Sequence, residues 1–246
     1  MNRKRITYAI FPFIFIALLQ LITYFGNQFY SELNGIIGVD YSWIFEKFNN
    51  WVPFLDWTIY PYIIAYPVWI GTIFLVSYYS KKNLYNVLGL ATITFLICGI
   101  WYFFWQTDVE AWRVTSGLFL NNNYLTPRTD LNFTESIVMW IYQSAGPRNA
   151  LPSMHTLISW ICIIGVRADK KIPFWPRVIS YVINVAIVIS TQTTKQHYII
   201  DLIVSIALAE GFYLIIKDSK FAKWLNKVFS SLNNKLDWDW DGQIKS

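Results

Sequence analysis

Leu84-Tyr85-Asn86-Val87-Leu88-Gly89-Leu90-Ala91-Thr92-Ile93-Thr94-Phe95-Leu96-Ile97-Cys98-Gly99-Ile100-Trp101-Tyr102-Phe103-Phe104-Trp105 runs without a charged side chain and follows the pair Lys81-Lys82. Crossing the hydrocarbon core of a bilayer takes about 20 apolar residues, with a range of roughly 17 to 25, so this stretch reads as a membrane-spanning helix. The rest of the chain is built from the same material. Of its 246 residues 55% are hydrophobic and 19% aromatic, only 14% are charged, and the mean hydropathy is +0.35. A soluble domain carries about 25% charged residues, so there is too little polar side chain here to coat a water-soluble surface. Disorder, collagen and a cytosolic nucleic-acid-binding domain are disfavoured by the same composition.

Working outward from residues 84–105, five further segments reach or approach spanning length: 8–25, 58–79, 152–166, 178–194 and 198–216. The expected fold is all-α, a bundle of six transmembrane helices in one domain covering residues 1–246, with a tail from 217 to 246 and no internal repeat. Arg3-Lys4-Arg5 before the first run resembles a secretory signal, but Phe25-Gly26-Asn27-Gln28-Phe29 offers no small-x-small cleavage site, so an uncleaved helix is expected. With the amino terminus cytoplasmic, 15 of the 20 basic residues fall on inner segments. The outer ones keep Lys47, Arg113, Arg128, Arg148 and Lys195. That asymmetry satisfies the positive-inside rule with both termini cytoplasmic, and it accounts for the net charge of +5 without a nucleic-acid partner.

The connecting segments differ in character. Residues 26–57 mix Trp43, Phe45, Phe48, Trp51, Phe54 and Trp57 with Glu32, Asp40, Glu46 and Asp56, as an amphipathic segment at the membrane interface does. Residues 106–151 form a longer polar loop, and long loops in compact proteins are more often functional than idle. Pro61 and Pro67 are expected to kink the second span. The tail alternates lysines with Phe221, Trp224, Leu225, Val228 and Phe229, the pattern of a basic amphipathic helix on the inner leaflet; the closing run Asp237-Trp238-Asp239-Trp240-Asp241-Gly242 has no assigned structure. Cys98 and Cys162 lie within apolar runs and read as small buried hydrophobes.

Chemistry gathers at the outer ends of the last three spans. The chain has two histidines, and the topology puts both at one membrane face: His155 near the start of the fourth span and His197 before the sixth. Asp201 follows His197 by one helical turn, where its carboxylate can hold an imidazole tautomer and stabilise the imidazolium. A carboxylate this deep in a membrane helix is costly unless paired, which marks a candidate functional site; a buried structural hydrogen bond is the bland reading. Around His155 the run is Asn149-Ala150-Leu151-Pro152-Ser153-Met154-His155-Thr156. Pro152 is expected as the first helical residue, with the free N–H groups and the Ser153 hydroxyl available to an anion. Lys195 adds a cation at the same face.

Together these residues resemble a family. Pro152-Ser153-Met154-His155 is similar to the second motif, PSGH, of the type 2 phosphatidic acid phosphatase superfamily. Ser190-Thr191-Gln192-Thr193-Thr194-Lys195-Gln196-His197-Tyr198-Ile199-Ile200-Asp201 is similar to its third, SRxxxxxHxxxD. The resemblance covers about residues 101–210 and implies a six-helix fold related to vanadium haloperoxidases. It implies His197 as the nucleophile that forms a phosphohistidine, Asp201 as its orienting partner and His155 as the group that protonates the leaving oxygen and later activates water. Ser153 would bind phosphate with nearby backbone N–H groups, and no metal or other cofactor is expected.

Three departures stand out. Thr191 occupies the position of the third-motif arginine, which leaves Lys195 as the nearby cation, a point charge rather than a bidentate fork. Met154 replaces the glycine of the second motif; this form, with a lysine before the third-motif histidine, resembles the branch that includes inositolphosphorylceramide synthases. The first motif, KxxxxxxRP, has no clean copy: Arg113 is the first candidate for its arginine and phosphate contact, Arg128 the second, and Arg148 lies close to Ser153 in sequence. Glu210 is expected to be paired within the bundle, and Asn132-Phe133-Thr134 receives no role.

The expected function is an integral membrane lipid phosphatase that hydrolyses a lipid phosphate monoester or diphosphate from the extracytoplasmic face. Its partners would be that lipid phosphate and the bilayer. The alternative is a phosphotransferase delivering a phospho-headgroup to an alcohol. A non-enzymatic transporter or scaffold ranks below both, because neither repeats nor several intramembrane charges are evident.

Overall fold

Ser80 sets the start of the helix that carries the opening stretch. Its extended backbone breaks from the preceding helix, and its hydroxyl accepts the N–H of Asn83 at 3.2 Å. Similar local stops divide the rest of the computed structural model, which describes residues 3–236 and 238. In chain order the helices are α1 (Arg5–Leu33), α2 (Glu46–Trp51), α3 (Ile59–Tyr79), α4 (Lys81–Phe104), α5 (Glu110–Val114), α6 (Phe133–Ala145), α7 (Met154–Arg167), α8 (Phe174–Thr193), α9 (Ile199–Ile216) and α10 (Lys220–Lys235). Two short strands, β1 (Val39–Asp40) and β2 (Thr107–Asp108), pair in parallel.

Five helices are long and apolar enough to cross a membrane: α1, α3 with its leading turn, α4, α8 and α9. The expected fourth span is not among them. α7 has 14 residues, about 21 Å at 1.5 Å per residue, against a hydrocarbon core of about 30 Å. Its start is also displaced, because Ser153 is extended (φ −70°, ψ 115°) and caps the helix through Thr156 N–H. Pro152, joined to Leu151 by a cis peptide, therefore lies outside the helix. α8 begins earlier than expected, at Phe174, since Pro176 falls in the first turn, where no intrahelical bond is lost. Pro61 likewise sits in the first turn of α3, so only Pro67 interrupts that helix.

α7 is apolar nearly all round and is the central rod, touching α3, α4, α8 and α9. Leu157, Ile161 and Ile164 are buried there, whereas Leu18 and Ile22 on α1 and Val182 and Ile189 on α8 point outward as lipid-facing side chains do. Lipid is as apolar as leucine, so close contacts and interhelical hydrogen bonds are what hold such a bundle. Asn83 donates to the Gly165 carbonyl at 2.7 Å, Trp69 Nε1 to Ser159 Oγ at 3.0 Å, and Asn27 to the Gly99 carbonyl at 3.0 Å. Gly99 is needed for that last approach, since a Cβ there would meet Thr23 at 2.8 Å. Cys98 and Cys162 are free and buried, and Glu210 is paired with Arg167 at 2.8 Å and accepts from Trp160.

The two ends of the bundle are distinct. At one, the tail pole, Tyr8 meets Ser230 at 2.6 Å, Asn233 donates to the Tyr8 carbonyl, and Lys82 pairs with Asp218 at 2.9 Å. Here α10 is amphipathic as expected, but its apolar face, with Ala222, Leu225 and Phe229, docks on α4 and α1 rather than being left for lipid. Of the run Asp237 to Gly242, all but Trp238 lies outside the described residues. The opposite, loop pole gathers residues 34–58, 105–153 and 193–199. Leu55 N–H donates to the Thr193 carbonyl at 2.9 Å, and Asn49 Oδ1 accepts the N–H of Ile199 at 3.1 Å. In this segment Trp43 and Trp51 are 72% and 80% exposed while Asn49 is 2% exposed, so its aromatic side faces outward.

Candidate active site

The end of α8 is a tight reversal. Gln196 N–H bonds the Thr191 carbonyl at 3.0 Å and Lys195 N–H bonds the Gln192 carbonyl at 3.0 Å, the paired bonds of a Schellman turn. The left-handed position of such a turn favours glycine, yet Lys195 holds it at φ 54°. His197 follows, with its own N–H on the Thr191 carbonyl at 3.2 Å. The position of the family's third-motif arginine is thus filled by a residue that closes the turn through its carbonyl, and the Thr191 hydroxyl donates back to Val188.

His197 Nδ1 lies 3.0 Å from the Ala150 carbonyl and 3.2 Å from Asp201 Oδ2. A backbone carbonyl only accepts, so Nδ1 carries the proton and Nε2 keeps its lone pair. Asp201 Oδ2 also takes the Tyr198 N–H at 3.0 Å, which caps α9 and fixes the carboxylate. Burial lowers the His197 pKa to about 3, with the Arg113 charge acting in the same direction and the bond to Ala150 opposing, so the ring is neutral at physiological pH. The Ala150 carbonyl is itself positioned from a distance. Thr107 Oγ1 on β2 accepts the N–H of Ala150 at 2.7 Å and of Leu151 at 3.2 Å. β2 stays in place because Gly38 beside β1 has no side chain; a Cβ there would lie 2.4 Å from the Thr107 backbone.

His155 is in the first turn of α7 and is held by rings. It stacks on Tyr62 at 4.1 Å and 19° and meets the edges of Trp69 at 5.1 Å and Tyr66 at 6.0 Å, while its buried Nε2 has no hydrogen-bond partner. Ser153 is fully buried as the cap of the same helix, and Ser205 Oγ bridges the carbonyls of Ser153 at 3.0 Å and Asp201 at 2.6 Å, tying α7 to α9.

Of the candidate cations, Arg113 comes to Gln196, the neighbour of His197. It is 2% exposed, donates to Gln196 Oε1 at 2.7 Å, Tyr124 OH at 2.9 Å and the Tyr142 carbonyl at 3.0 Å, and lies over the Tyr142 ring. Lys195 is buried but turned aside: its ammonium donates to the Val52 carbonyl and sits 3.6 Å over the Trp112 ring. That ring touches the centre, because Trp112 Nε1 donates to the His197 carbonyl at 3.2 Å. Burial lowers the Lys195 pKa to about 8. Arg148 is locked to Asp108 and the Ile36 carbonyl, and half-buried Arg128 is paired with Asp130 at 2.8 Å; neither joins the site.

Sequence reasoning did not single out Gln196, Trp112, Tyr62, Tyr66 or Trp69. A signal existed for the last three, whose spacing of four and three residues puts them on one helical face. Among the described residues no group of three or more His, Cys, Asp or Glu side chains is placed to hold a metal ion.

Comparison with curated proteins and with solved structures gave no match. A family model does match, described as the PAP2 superfamily, over residues 31–215. It takes in both histidines, Arg113 and the second span, and it begins upstream of the stretch on which the motif resemblance rests. The chain belongs to the PAP2 superfamily, that of the type 2 phosphatidic acid phosphatases.

Proposed function

We propose that this protein is an integral membrane phosphatase that hydrolyses a lipid phosphate monoester or diphosphate through a phosphohistidine on His197. The observation that carries the reading is the double hold on His197 Nδ1 by the Ala150 carbonyl and Asp201, which leaves the Nε2 lone pair as a pre-oriented nucleophile. Nε2 attacks phosphorus, the P–N bond forms, and the P–O bond breaks with its electron pair going to the leaving oxygen. His155 takes the proton that a bound phosphate monoanion brings and gives it to that oxygen. A water molecule then attacks the phosphohistidine, His155 takes a proton from it, and the P–N pair returns to Nε2. The Asp201 carboxylate steadies the positive charge that develops on His197, as the buried carboxylate does in a nucleophile–His–Asp constellation.

Arg113 is the cation on the phosphoryl oxygens in this scheme, with the Ser153 hydroxyl as a neutral donor. Lys195 acts one ring away, through Trp112. The same intermediate passed to an alcohol instead of water gives the phosphotransferase alternative. Charge asymmetry supports a topology with both termini cytoplasmic and the loop pole extracytoplasmic.

The test is phosphate release from a panel of lipid phosphates by the purified protein in detergent with EDTA, comparing wild type with His197→Ala. Release that survives chelation and disappears in the variant is expected. Equal release by both proteins would remove His197 as the nucleophile, and phospho-alcohol formed on adding alcohols without free phosphate would move the assignment to transfer. Tag accessibility of residues 26–57 checks the orientation.

A further inference from the structure

Arg113 and Gln196 meet in a way that orients both. The guanidinium only donates, so the atom it reaches at 2.7 Å must be the amide oxygen of Gln196; the amide nitrogen then points the other way. Gln196 is 3% exposed and its Nε2 has no acceptor. Arg113 Nε, on the same buried pair, also has none. Buried donors are almost always satisfied, and an orphan costs about what a lost hydrogen bond does. Here two lie together beside the residue whose Nε2 is free to attack.

We propose that Gln196 is a phosphate ligand: held by Arg113 through its oxygen, its amide donates an N–H to a phosphoryl oxygen of the substrate. This rests on the phosphatase or phosphotransferase reading above and names a donor that neither the motifs nor the composition assigns. It also accounts for how the site works with Thr191 where the family has an arginine. One guanidinium and one neutral amide, linked in series, replace two separate cations. The pair carries a single positive charge, so a phosphate monoester and a more highly charged diphosphate differ less in affinity than they would against two cations.

The competing idea is that Gln196 only steadies Arg113, and two near-isosteric substitutions separate them. In Gln196→Glu the carboxylate holds Arg113 at least as well but has no N–H to give and cancels the charge of the pair; in Gln196→Met both donor and acceptor are gone and the Arg113 charge stays. Binding of inorganic phosphate measured by calorimetry and the KM for the preferred lipid phosphate are the readouts, with thermal stability measured alongside. Gln196→Glu is expected to weaken phosphate binding and raise KM by about tenfold or more, at least as much as Gln196→Met, while its melting temperature stays near wild type. Wild-type affinity in Gln196→Glu with loss only in Gln196→Met would overturn the proposal and leave Gln196 as a positioning residue. A wild-type protein that neither binds phosphate nor turns over any lipid phosphate would instead defeat the phosphatase and transferase reading on which the proposal rests. If Gln196→Glu does not fold, unchanged phosphate affinity in Gln196→Met, which lacks the amide, still overturns the ligand role.

Discussion

The two histidines share one pole of the bundle but sit in opposite surroundings. His197 is gripped by polar atoms: a carbonyl and a carboxylate on Nδ1, an indole N–H on its own carbonyl, and the turn from Thr191 behind it. His155 touches mainly rings, and its buried Nε2 is left without a partner. A nucleophile needs one tautomer held in one direction, which fixed polar partners provide. A group that gives a proton in one step and takes one in the next cannot be committed to a single acceptor, and aromatic faces hold either form of the ring. The difference teaches that an imidazole's role is written in what surrounds it.

Breaking the polar grip is expected to have the largest effect. His197→Ala should lower lipid-phosphate turnover by about a thousandfold or more, to the background of the assay. Asp201→Asn comes next. The amide can turn its N–H2 toward Nδ1 and favour the tautomer whose lone pair faces away from phosphorus, so kcat should fall by ~10²- to 10⁴-fold with little change in KM. An equal fall in binding would mean that Asp201 shapes the pocket rather than the nucleophile. The aromatic hold should matter less. Tyr62→Leu removes a stack of the kind worth ~0.5–1.5 kcal/mol, so a loss of about tenfold in kcat is expected, with Tyr62→Phe restoring it. Failure of the phenylalanine to rescue would show that the Tyr62 hydroxyl, not its face, is in use.

Both halves of this contrast were partly legible in the sequence. His155, His197 and Asp201 stood at one face once the apolar runs were placed, because a span of known length fixes where its ends lie. Arg113 was legible as the first candidate, and the structure brings it to Gln196 beside His197. The destination of Lys195 was not. Proximity in sequence put its charge next to His197, but its ammonium is claimed by the Val52 carbonyl and the Trp112 ring, from segments whose approach no local pattern encodes. Pro152 misled for a local reason: proline is favoured at a helix start, but here the Ser153 side chain captured Thr156 N–H and moved the start to Met154. The Ala150 carbonyl could not be foreseen either, since it is set by Thr107 on a strand kept in register by Gly38.

Lys195 supplies the smallest effect and sharpens the contrast from outside both grips. Its pKa is lowered from the ordinary 10.5 to about 8 because the folded protein buries the ammonium. Between about pH 8 and 10.5 the unfolded chain therefore binds more protons at this residue than the folded one, and stability rises with pH across that window. Below pH 8 the ammonium is present in both states and its burial is a standing cost, offset in part by the Val52 carbonyl and the face of Trp112. Lys195→Met keeps the stem over Trp112 without the charge. It should flatten the rise in melting temperature between pH 8 and 10.5 while lowering kcat only severalfold, because Trp112 still holds the His197 carbonyl. A fall in kcat as large as that of Asp201→Asn would instead place the ammonium on the phosphate itself, and Lys195 would then belong with Arg113.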